Sequence, residues 1–288
     1  MTSQPPFFLS PEELESDIRA FRKARLTRLT AARGWLTLIG KVWLAEGTHR
    51  IGSAPESHIV LPRERSPAHL GTLTVAAGNV QLDVDPAAVV HARGERVTSL
   101  VLRSESDEAP DEVRIGSLTL SLLRRGSDVA LRIRDAESAA RLSFPGIPTY
   151  PVDPAWRIVA RLEPFASPRE ILVADGDGRS QSYLSSGLAR FEKDGISSAL
   201  LPLVEEREKR LFVLFSDATS KDETYGAGRF LYAPAPQDGQ VLLDFNKAFN
   251  PPCAFTPYAV CPLPPAENRL LQRVNAGEKR PHSLASMG

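Results

Sequence analysis

The pattern of apolar and polar positions near the N-terminus predicts one long helix, over residues 9–31. Ser10 and Glu13 have the spacing of a capping box, and Pro11 stands at the first helical position, where its missing N–H costs nothing. The apolar positions at helical spacing are Leu14, Ile18, Phe21, Ala24 and Leu29. The basic positions are Arg19, Arg22, Lys23, Arg25 and Arg28. A basic face suits either an anionic partner or exposure to solvent, and the sequence favours exposure.

After Gly34 the pattern changes to short runs rich in Val, Ile, Leu and Thr, separated by Gly, Pro, Asn and Asp. Strands this short, without helices between them, predict an antiparallel sandwich over residues 34–142. The predicted strands are 47–51, 58–61, 71–75, 80–84, 97–102, 113–122 and 129–135. Residues 76–79 and 125–128 are predicted hairpin turns.

A proline-rich segment, residues 143–156, interrupts this series, because proline removes the backbone donor that a sheet needs. Further predicted strands follow at 156–163, 169–174, 181–191, 197–203 and 210–215. Residues 175–178 (Asp-Gly-Asp-Gly) resemble the start of a calcium loop, but Arg179 stands where the next oxygen ligand belongs. This segment is therefore predicted to be a hairpin turn.

Residues 217–278 show neither helical nor strand periodicity, yet they are too rich in aromatic and aliphatic residues to be disordered. The whole pattern predicts a mostly β protein of two lobes. We expect a helical segment at 1–33, a β-sandwich at 34–142, a β-rich C-terminal lobe at 143–280 and a polar tail at 281–288.

Composition limits the function classes. The 35 Lys and Arg residues balance the 35 Asp and Glu residues, which argues against a nucleic-acid-binding protein because such binding needs a basic surface. We identify no signal peptide and no apolar run long enough for a membrane helix. With two cysteines and no disulfide framework, the chain is expected to be cytoplasmic.

Strong catalytic signatures are missing: there is no phosphate-binding glycine-rich loop, no nucleophile elbow and no His-Glu-x-x-His motif. Cys253 and Cys261 do not have a zinc-ligand spacing, so we predict no metal site. Two buried reduced thiols are favoured over a site that also uses His282. Whether the protein is an enzyme, which cofactor it uses and its oligomeric state stay open.

The segment 217–278 also gathers hydrogen-bonding side chains among aromatic residues and prolines. The candidate ligand-binding residues are Arg229, Asp244, Asn246, Asn250, Cys253, Asn268 and Glu278. Buried polar groups need partners, so these residues either satisfy one another or line a pocket. In a site, Arg229 would bind an anionic group, Asp244 or Glu278 would be the base, and Cys253 a nucleophile whose activating partner the sequence does not identify.

Ile51-Gly52-Ser53, Ser57 to Leu61 and Ser66-Pro67-Ala68-His69 resemble the front half of a forkhead-associated domain. The resemblance implies an eleven-stranded β-sandwich that binds phosphothreonine peptides through its loops. Ser53 replaces the arginine that the family has there, and a serine cannot supply its fork of donors. We therefore expect the fold without phosphothreonine binding, and Ser66 and His69 as loop-packing residues.

A second resemblance covers most of the chain and is most specific near the C-terminus. It is carried by the segments 228–232, 243–255, 261–270 and 276–278, together with 34–36 and 215–219. These segments resemble an uncharacterised bacterial and archaeal family, a domain of unknown function. The leading hypothesis is a protein, whether an enzyme or a binding protein, that binds a small molecule or anion in its C-terminal lobe. The alternative is a protein-interaction module that uses the sandwich.

Overall fold

The computed structural model describes residues 7–205 and 210–282. The chain divides into two compact units. Residues 30–144 form one, which we call the sandwich unit. The described residues of 7–29 and 145–282 form the other, which we call the composite unit because two separate stretches of chain build it.

Helix α1 spans Pro11–Thr30. The backbone N–H of Ser10 donates to Glu13 Oε2 at 2.8 Å, and the backbone N–H of Glu13 donates to Ser10 Oγ at 3.2 Å. This confirms the capping box. Leu14, Ile18 and Leu29 are buried, as the helical spacing predicts. Among the described residues, no helix is both long enough and apolar enough to cross a membrane.

The sandwich unit consists of two sheets, and apart from the parallel pair β2–β3 its strands pair antiparallel. Its strands are β1 (Leu38–Leu44), β2 (Gly47–Gly52), β3 (Ile59–Val60), β4 (Gly71–Ala76), β5 (Asn79–Val84), β6 (His91–Ala92), β7 (Glu95–Arg96), β8 (Ser99–Leu102), β9 (Val113–Ile115), β10 (Leu118–Arg125) and β11 (Asp128–Asp135). One sheet has the order β1-β11-β10-β9-β6-β7 and the other β3-β2-β4-β5-β8. Aliphatic side chains of both sheets form one core. The short helix α2 (Ala139–Leu142) follows.

The predicted sandwich is confirmed, with local corrections. The single strand predicted over 113–122 is wrong, because Gly116 takes a φ of 55° and the chain turns there, between β9 and β10. Strand β1 and the two-residue strands β6 and β7 were not predicted. The hairpin turn at residues 76–79 is confirmed: Ala77 and Gly78 have positive φ and connect β4 to β5.

The composite unit contains a four-stranded sheet and a three-stranded sheet, both antiparallel. Its strands are β12 (Arg157–Ala174), β13 (Ser180–Lys193), β14 (Ile196–Leu200), β15 (Leu203–Glu205), β16 (Arg210–Phe215), β17 (Arg229–Pro234) and β18 (Gln240–Asp244). The orders are β14-β13-β12-β18 and β15-β16-β17. Short 3₁₀ helices lie at Trp35–Thr37 in the sandwich unit and at Pro154–Trp156, Ala218–Lys221, Phe245–Lys247, Pro252–Ala254 and Ala266–Asn268.

Two expectations for the composite unit are corrected. The strands predicted at 156–163 and 169–174 are one strand, β12, which changes register between Pro164 and Arg169. The segment 217–278 is not free of regular structure, since it holds β17 and β18. Their apolar runs are buried on both faces, so they lack the alternation by which a half-exposed strand is recognised. The turn at residues 175–178 is confirmed, and Asp175 accepts the backbone N–H groups of Asp177 and Arg179.

Candidate functional site

The polar residues that the sequence singles out in the C-terminal lobe are buried, but they lie in separate local networks. Six of them expose 4% or less of their surface, and Cys253 is partly buried. The six are Arg229, Asp244, Asn246, Asn250, Asn268 and Glu278. Nothing in the structure gathers all seven around one space. As ligand-binding residues they stay predictions, and their contacts decide which of them can reach a ligand.

Arg229 lies in β17 and binds the protein with both terminal nitrogens. Its Nη2 donates to Asp217 Oδ2 at 2.8 Å and to the carbonyl oxygen of Val274 at 2.9 Å. Its Nη1 donates to the carbonyl oxygens of Ala276 and Glu278. The side chains of Arg229 and Asp217 are completely buried. The guanidinium therefore holds the segment 274–278 in place, and its charge is matched by a carboxylate.

Asp244 and Asn246 form a second network at the end of β18. Asp244 binds the guanidinium of Arg157 and accepts the backbone N–H of Asn246 at 3.2 Å. Asn246 Oδ1 accepts the backbone N–H of Asp153 at 2.9 Å, and Asn246 Nδ2 donates to the carbonyl oxygen of Asp153 at 2.9 Å. These contacts fix the loop that precedes β12.

Asn268 forms a third network through both ends of its amide. Its Nδ2 donates to the carbonyl oxygens of Leu201 and Leu214, and its Oδ1 accepts the backbone N–H of Leu201 at 2.6 Å. The side chain therefore joins the backbone of Leu201, just before β15, to the backbone of Leu214 in β16. Such a residue satisfies buried backbone groups and leaves no donor for a ligand.

Glu278 and Asn250 differ from the others because they contact α1. Glu278 Oε1 accepts Arg25 Nε at 3.1 Å, and Glu278 Oε2 accepts the backbone N–H of Asn250 at 2.7 Å. Arg25 Nη2 donates to the carbonyl oxygen of Asn250 at 2.7 Å. Burial raises the pKa of the Glu278 carboxyl, although the nearby Arg25 charge opposes the shift. Glu278 is thus a buried carboxyl group beside a basic helix.

A cavity of about 350 Å³ lies at this point, and we call it the α1 cavity. It is lined by Arg19, Arg22, Lys23, Arg25 and Leu26 of α1, by Ile147 and Thr149, and by Glu278. Two of these lining residues, Thr149 and Glu278, pair with each other in an isolated antiparallel bridge. Of the predicted site residues, only Glu278 lines it.

Helical geometry places the basic side chains together. Arg19, Arg22, Lys23 and Leu26 recur at intervals of three and four residues, so they lie on one face of α1. Arg22 Nη2 donates to the carbonyl oxygen of Tyr150 at 2.8 Å, while its Nε is buried without a hydrogen-bond partner among the described residues. Burial lowers the pKa of Arg22. The sequence shows this spacing, but only the fold shows that the face borders a cavity.

Cys253 has two neighbours, Cys261 and Tyr225, that the sequence did not identify as its partners. The backbone N–H of Cys253 donates to Cys261 Sγ at 3.2 Å. The Tyr225 hydroxyl donates to the carbonyl oxygen of Cys253 at 3.0 Å. Hydrogen bonding by the side chains of Cys261 and Tyr225 lowers the pKa of the Cys253 thiol to about 7, against the opposing effect of burial. Among residues 7–205 and 210–282, no three His, Cys, Asp or Glu side chains lie in a group that could hold a metal ion.

In the sandwich unit, the loops that carry the forkhead-associated resemblance are held by their own backbone. Ser53 Oγ donates to the carbonyl oxygen of Ser66 at 3.1 Å, and Ser66 Oγ donates to that of Pro62 at 3.1 Å. A Cβ added to Gly52 would lie 2.1 Å from the carbonyl oxygen of Ala68. Both serines therefore pack loops together.

A cleft of about 650 Å³ lies elsewhere in the sandwich unit, bordered by Arg33, Arg93, Arg114, Asp111 and Glu112. Its positive charges are largely matched. Asp111 accepts the guanidinium groups of Arg93 and Arg103, and these hydrogen bonds hold the pKa of its carboxyl well below the usual range. Glu112 pairs with Arg33 and Arg114. This cleft therefore has less unmatched positive charge with which to bind an anion than the α1 cavity has.

Comparison with known proteins adds a family but no activity. Residues 142–279 match the family described as "Protein of unknown function (DUF1684)". This confirms the prediction of an uncharacterised family. No curated protein matches the chain.

Several solved structures are similar to parts of the chain. An uncharacterised protein of Haloarcula marismortui, solved by NMR, is 33% identical over 48% of this chain and 78% of its own, with a TM-score of 0.41. The FHA-2 domain of a Mycobacterium tuberculosis ABC transporter is 27% identical over 31% of this chain and 77% of its own, with a TM-score of 0.24. The FHA domain of FhaA, solved with the intracellular domain of Rv3910, is 13% identical over 33% of this chain and 97% of its own, with a TM-score of 0.23. The function must therefore be argued from the contacts of the chain itself.

Proposed function

Since the chain belongs, through residues 142–279, to the DUF1684 family of proteins of unknown function, we propose its function from its own contacts: it binds a small organic carboxylate in the α1 cavity. The observation that carries this proposal is the row of cationic side chains that α1 presents to that cavity. A volume of about 350 Å³ falls in the range of about 300–1,000 Å³ that small-molecule sites occupy.

The charge of the cavity favours an anion. Arg25 is paired with Glu278, so the charges of Arg19, Arg22 and Lys23 remain. Within the described part of the chain, neither Arg19 nor Lys23 forms an ion pair. The buried Nε of Arg22 lacks a hydrogen-bond partner there, and a carboxylate oxygen would satisfy it.

The remaining lining favours an organic ligand over an inorganic one. Leu26 and Ile147 place aliphatic surface beside the cationic groups. A molecule with a carboxylate at one end and a short hydrocarbon body would bury apolar surface and pair its charge at the same time. As predicted from the sequence, we further propose that the protein is cytoplasmic and does not bind nucleic acid.

The test is a calorimetric titration with straight-chain carboxylates of increasing length and with the matching primary amides. We expect the carboxylates to bind, the neutral amides to bind far more weakly, and the affinity to fall as salt screens the charges. The double variant Arg19→Gln/Lys23→Gln should weaken carboxylate binding by at least about tenfold, which is about 1.4 kcal/mol.

Arg28→Gln is the matched control, because Arg28 is an exposed cation of α1 that does not line the cavity. It should leave the affinity unchanged. The proposal is wrong if no carboxylate binds, or if Arg28→Gln weakens binding as much as the double variant does.

The hypothesis that the sandwich unit is a protein-interaction module stays a prediction. The unit carries exposed apolar side chains, Val60, Val89 and Val101, each more than half exposed. A peptide array probed with the full chain tests this hypothesis, and an array without any bound peptide would reject it.

A further inference from the structure

Cys253 and Cys261 are separated by seven residues in sequence and are direct neighbours in the fold. Cys253 lies in the 3₁₀ helix Pro252–Ala254, and Cys261 lies beside the bridge between Asp175 and Pro262. The backbone N–H of Cys253 donates to Cys261 Sγ at 3.2 Å, which places the Cys261 sulfur directly beside Cys253. The carbonyl oxygen of Cys261 in turn accepts the backbone N–H of Gly176 at 3.2 Å. Both sulfur atoms are therefore positioned by backbone contacts.

The two thiols are unequal in access. Cys261 exposes only 3% of its surface, whereas Cys253 is partly exposed. A dissolved oxidant can therefore reach Cys253 first, and Cys261 can then react only with a partner that is already beside it.

The two thiols are also unequal in reactivity. The hydrogen bond from Cys261 lowers the pKa of Cys253 to about 7, and the Tyr225 side chain adds to this effect. Burial, followed by the Cys253 contact, raises the pKa of the Tyr225 hydroxyl, so that this group stays a proton donor. Because the thiolate is the nucleophilic form, we expect Cys253 to react with an oxidant at neutral pH.

From these contacts we propose that Cys253 and Cys261 are a redox-active pair, which a peroxide oxidises to an intramolecular disulfide. In the first step the Cys253 thiolate attacks the peroxide: an S–O bond forms, the O–O bond breaks, and the departing oxygen takes up a proton. In the second step the Cys261 sulfur attacks the Cys253 sulfenic acid. The S–S bond forms, the S–O bond breaks, and the hydroxide leaves as water with the Cys261 proton. Two electrons pass from the thiols to the peroxide.

The experiment treats the full chain with hydrogen peroxide and counts free thiols by mass spectrometry after alkylation. We expect the wild-type protein to lose both thiols together, with the mass loss of two hydrogen atoms and no added oxygen, and to regain them with a reductant. In Cys261→Ser, Cys253 should stop at a sulfenic acid that dimedone traps. In Cys253→Ser, Cys261 should stay reduced.

A second measurement tests whether the Cys253 thiol is activated, and not merely close to Cys261. Alkylation of Cys253 in the untreated protein should rise with pH around a midpoint of about 7, against about 8.5 for an ordinary thiol. Tyr225→Phe should shift this midpoint upward and slow the peroxide reaction. The proposal fails if peroxide leaves both thiols free, or if it adds oxygen to Cys253 of the wild-type protein without forming the disulfide. Equal oxidation of the two single variants would also overturn it.

Discussion

The guanidinium of Arg229 is buried, and it binds Asp217 and the carbonyl oxygens of residues 274, 276 and 278. Asp217 Oδ1 also accepts the backbone N–H groups of Thr219 and Val274. Removing one partner of a completely buried ion pair leaves the other charge uncompensated. The charge of Arg229 is therefore balanced by a single carboxylate, that of Asp217.

We expect Asp217→Asn to lower the free energy of unfolding by about 3–5 kcal/mol, because Arg229 then keeps a buried charge without its counter-ion. Chemical denaturation measures this difference.

Asp222→Asn is its control, since Asp222 pairs with Arg273 at 3.0 Å at the surface. Solvent and salt screen exposed ion pairs, so this variant should leave the unfolding free energy nearly unchanged. Equal losses in the two variants would contradict the role assigned to burial.

At the same scale, the sequence predicted that the polar residues of the C-terminal lobe must find partners, and the structure supplies most of those partners. It could not predict which ones. Arg25 and Glu278 are 253 residues apart, and Asn268 binds backbone groups 54 and 67 residues away. Such pairs depend on the complete fold, whereas the capping box of α1 depends on residues three apart and could be identified from sequence.

At the scale of elements, the hairpin of β12 and β13 shows how prolines shape a long strand. Pro164 pairs with Gly187 and Arg169 with Ser185, so five steps along β12 match two along β13. Prolines 164 and 168 lie in this stretch, and neither can donate a backbone hydrogen bond. The two separate strands predicted from the sequence are therefore one strand, β12, whose register changes at these prolines.

Gly187→Ala should destabilise this hairpin. A Cβ at position 187 would lie 2.4 Å from the carbonyl oxygen of Glu163, and backbone cannot move aside as a flexible side chain can. We expect a loss of about 1–3 kcal/mol in the unfolding free energy, typical of overpacking.

Gly176→Ala is the control for this prediction. Gly176 lies in the turn of the same hairpin, has no positive φ, and an added Cβ there would meet nothing within 4 Å. Thermal unfolding of both variants measures the difference, and an unchanged midpoint for Gly187→Ala would contradict the close approach of the two strands.

At the scale of the whole molecule, each unit has a hydrophobic core of its own. The mostly β class could be predicted, because short apolar runs between turn residues dominate the sequence. The division into a continuous and a discontinuous unit could not be predicted from the sequence. No local pattern indicates that α1 packs with residues more than a hundred positions later.

Because each unit has its own hydrophobic core, we expect each unit to have its own stability against local unfolding. In the Asp217→Asn variant we expect faster amide hydrogen exchange in the described residues of the composite unit and unchanged exchange in residues 30–144. Exchange followed by mass spectrometry measures both units in one sample. Faster exchange throughout residues 30–144 would show that the two cores unfold together.

The contacts of α1 also have a consequence for the order of events at the ribosome. Arg22 and Arg25 bind residues that lie 128 to 253 positions further along the chain. During synthesis the helix emerges before these partners do, and its contacts are complete only when residue 278 has left the exit tunnel. Residues 30–144 complete their own core long before that. The helix is thus made before residues 30–144 but completes its contacts after them, and its basic face stays open to chaperones and to anionic surfaces in the meantime.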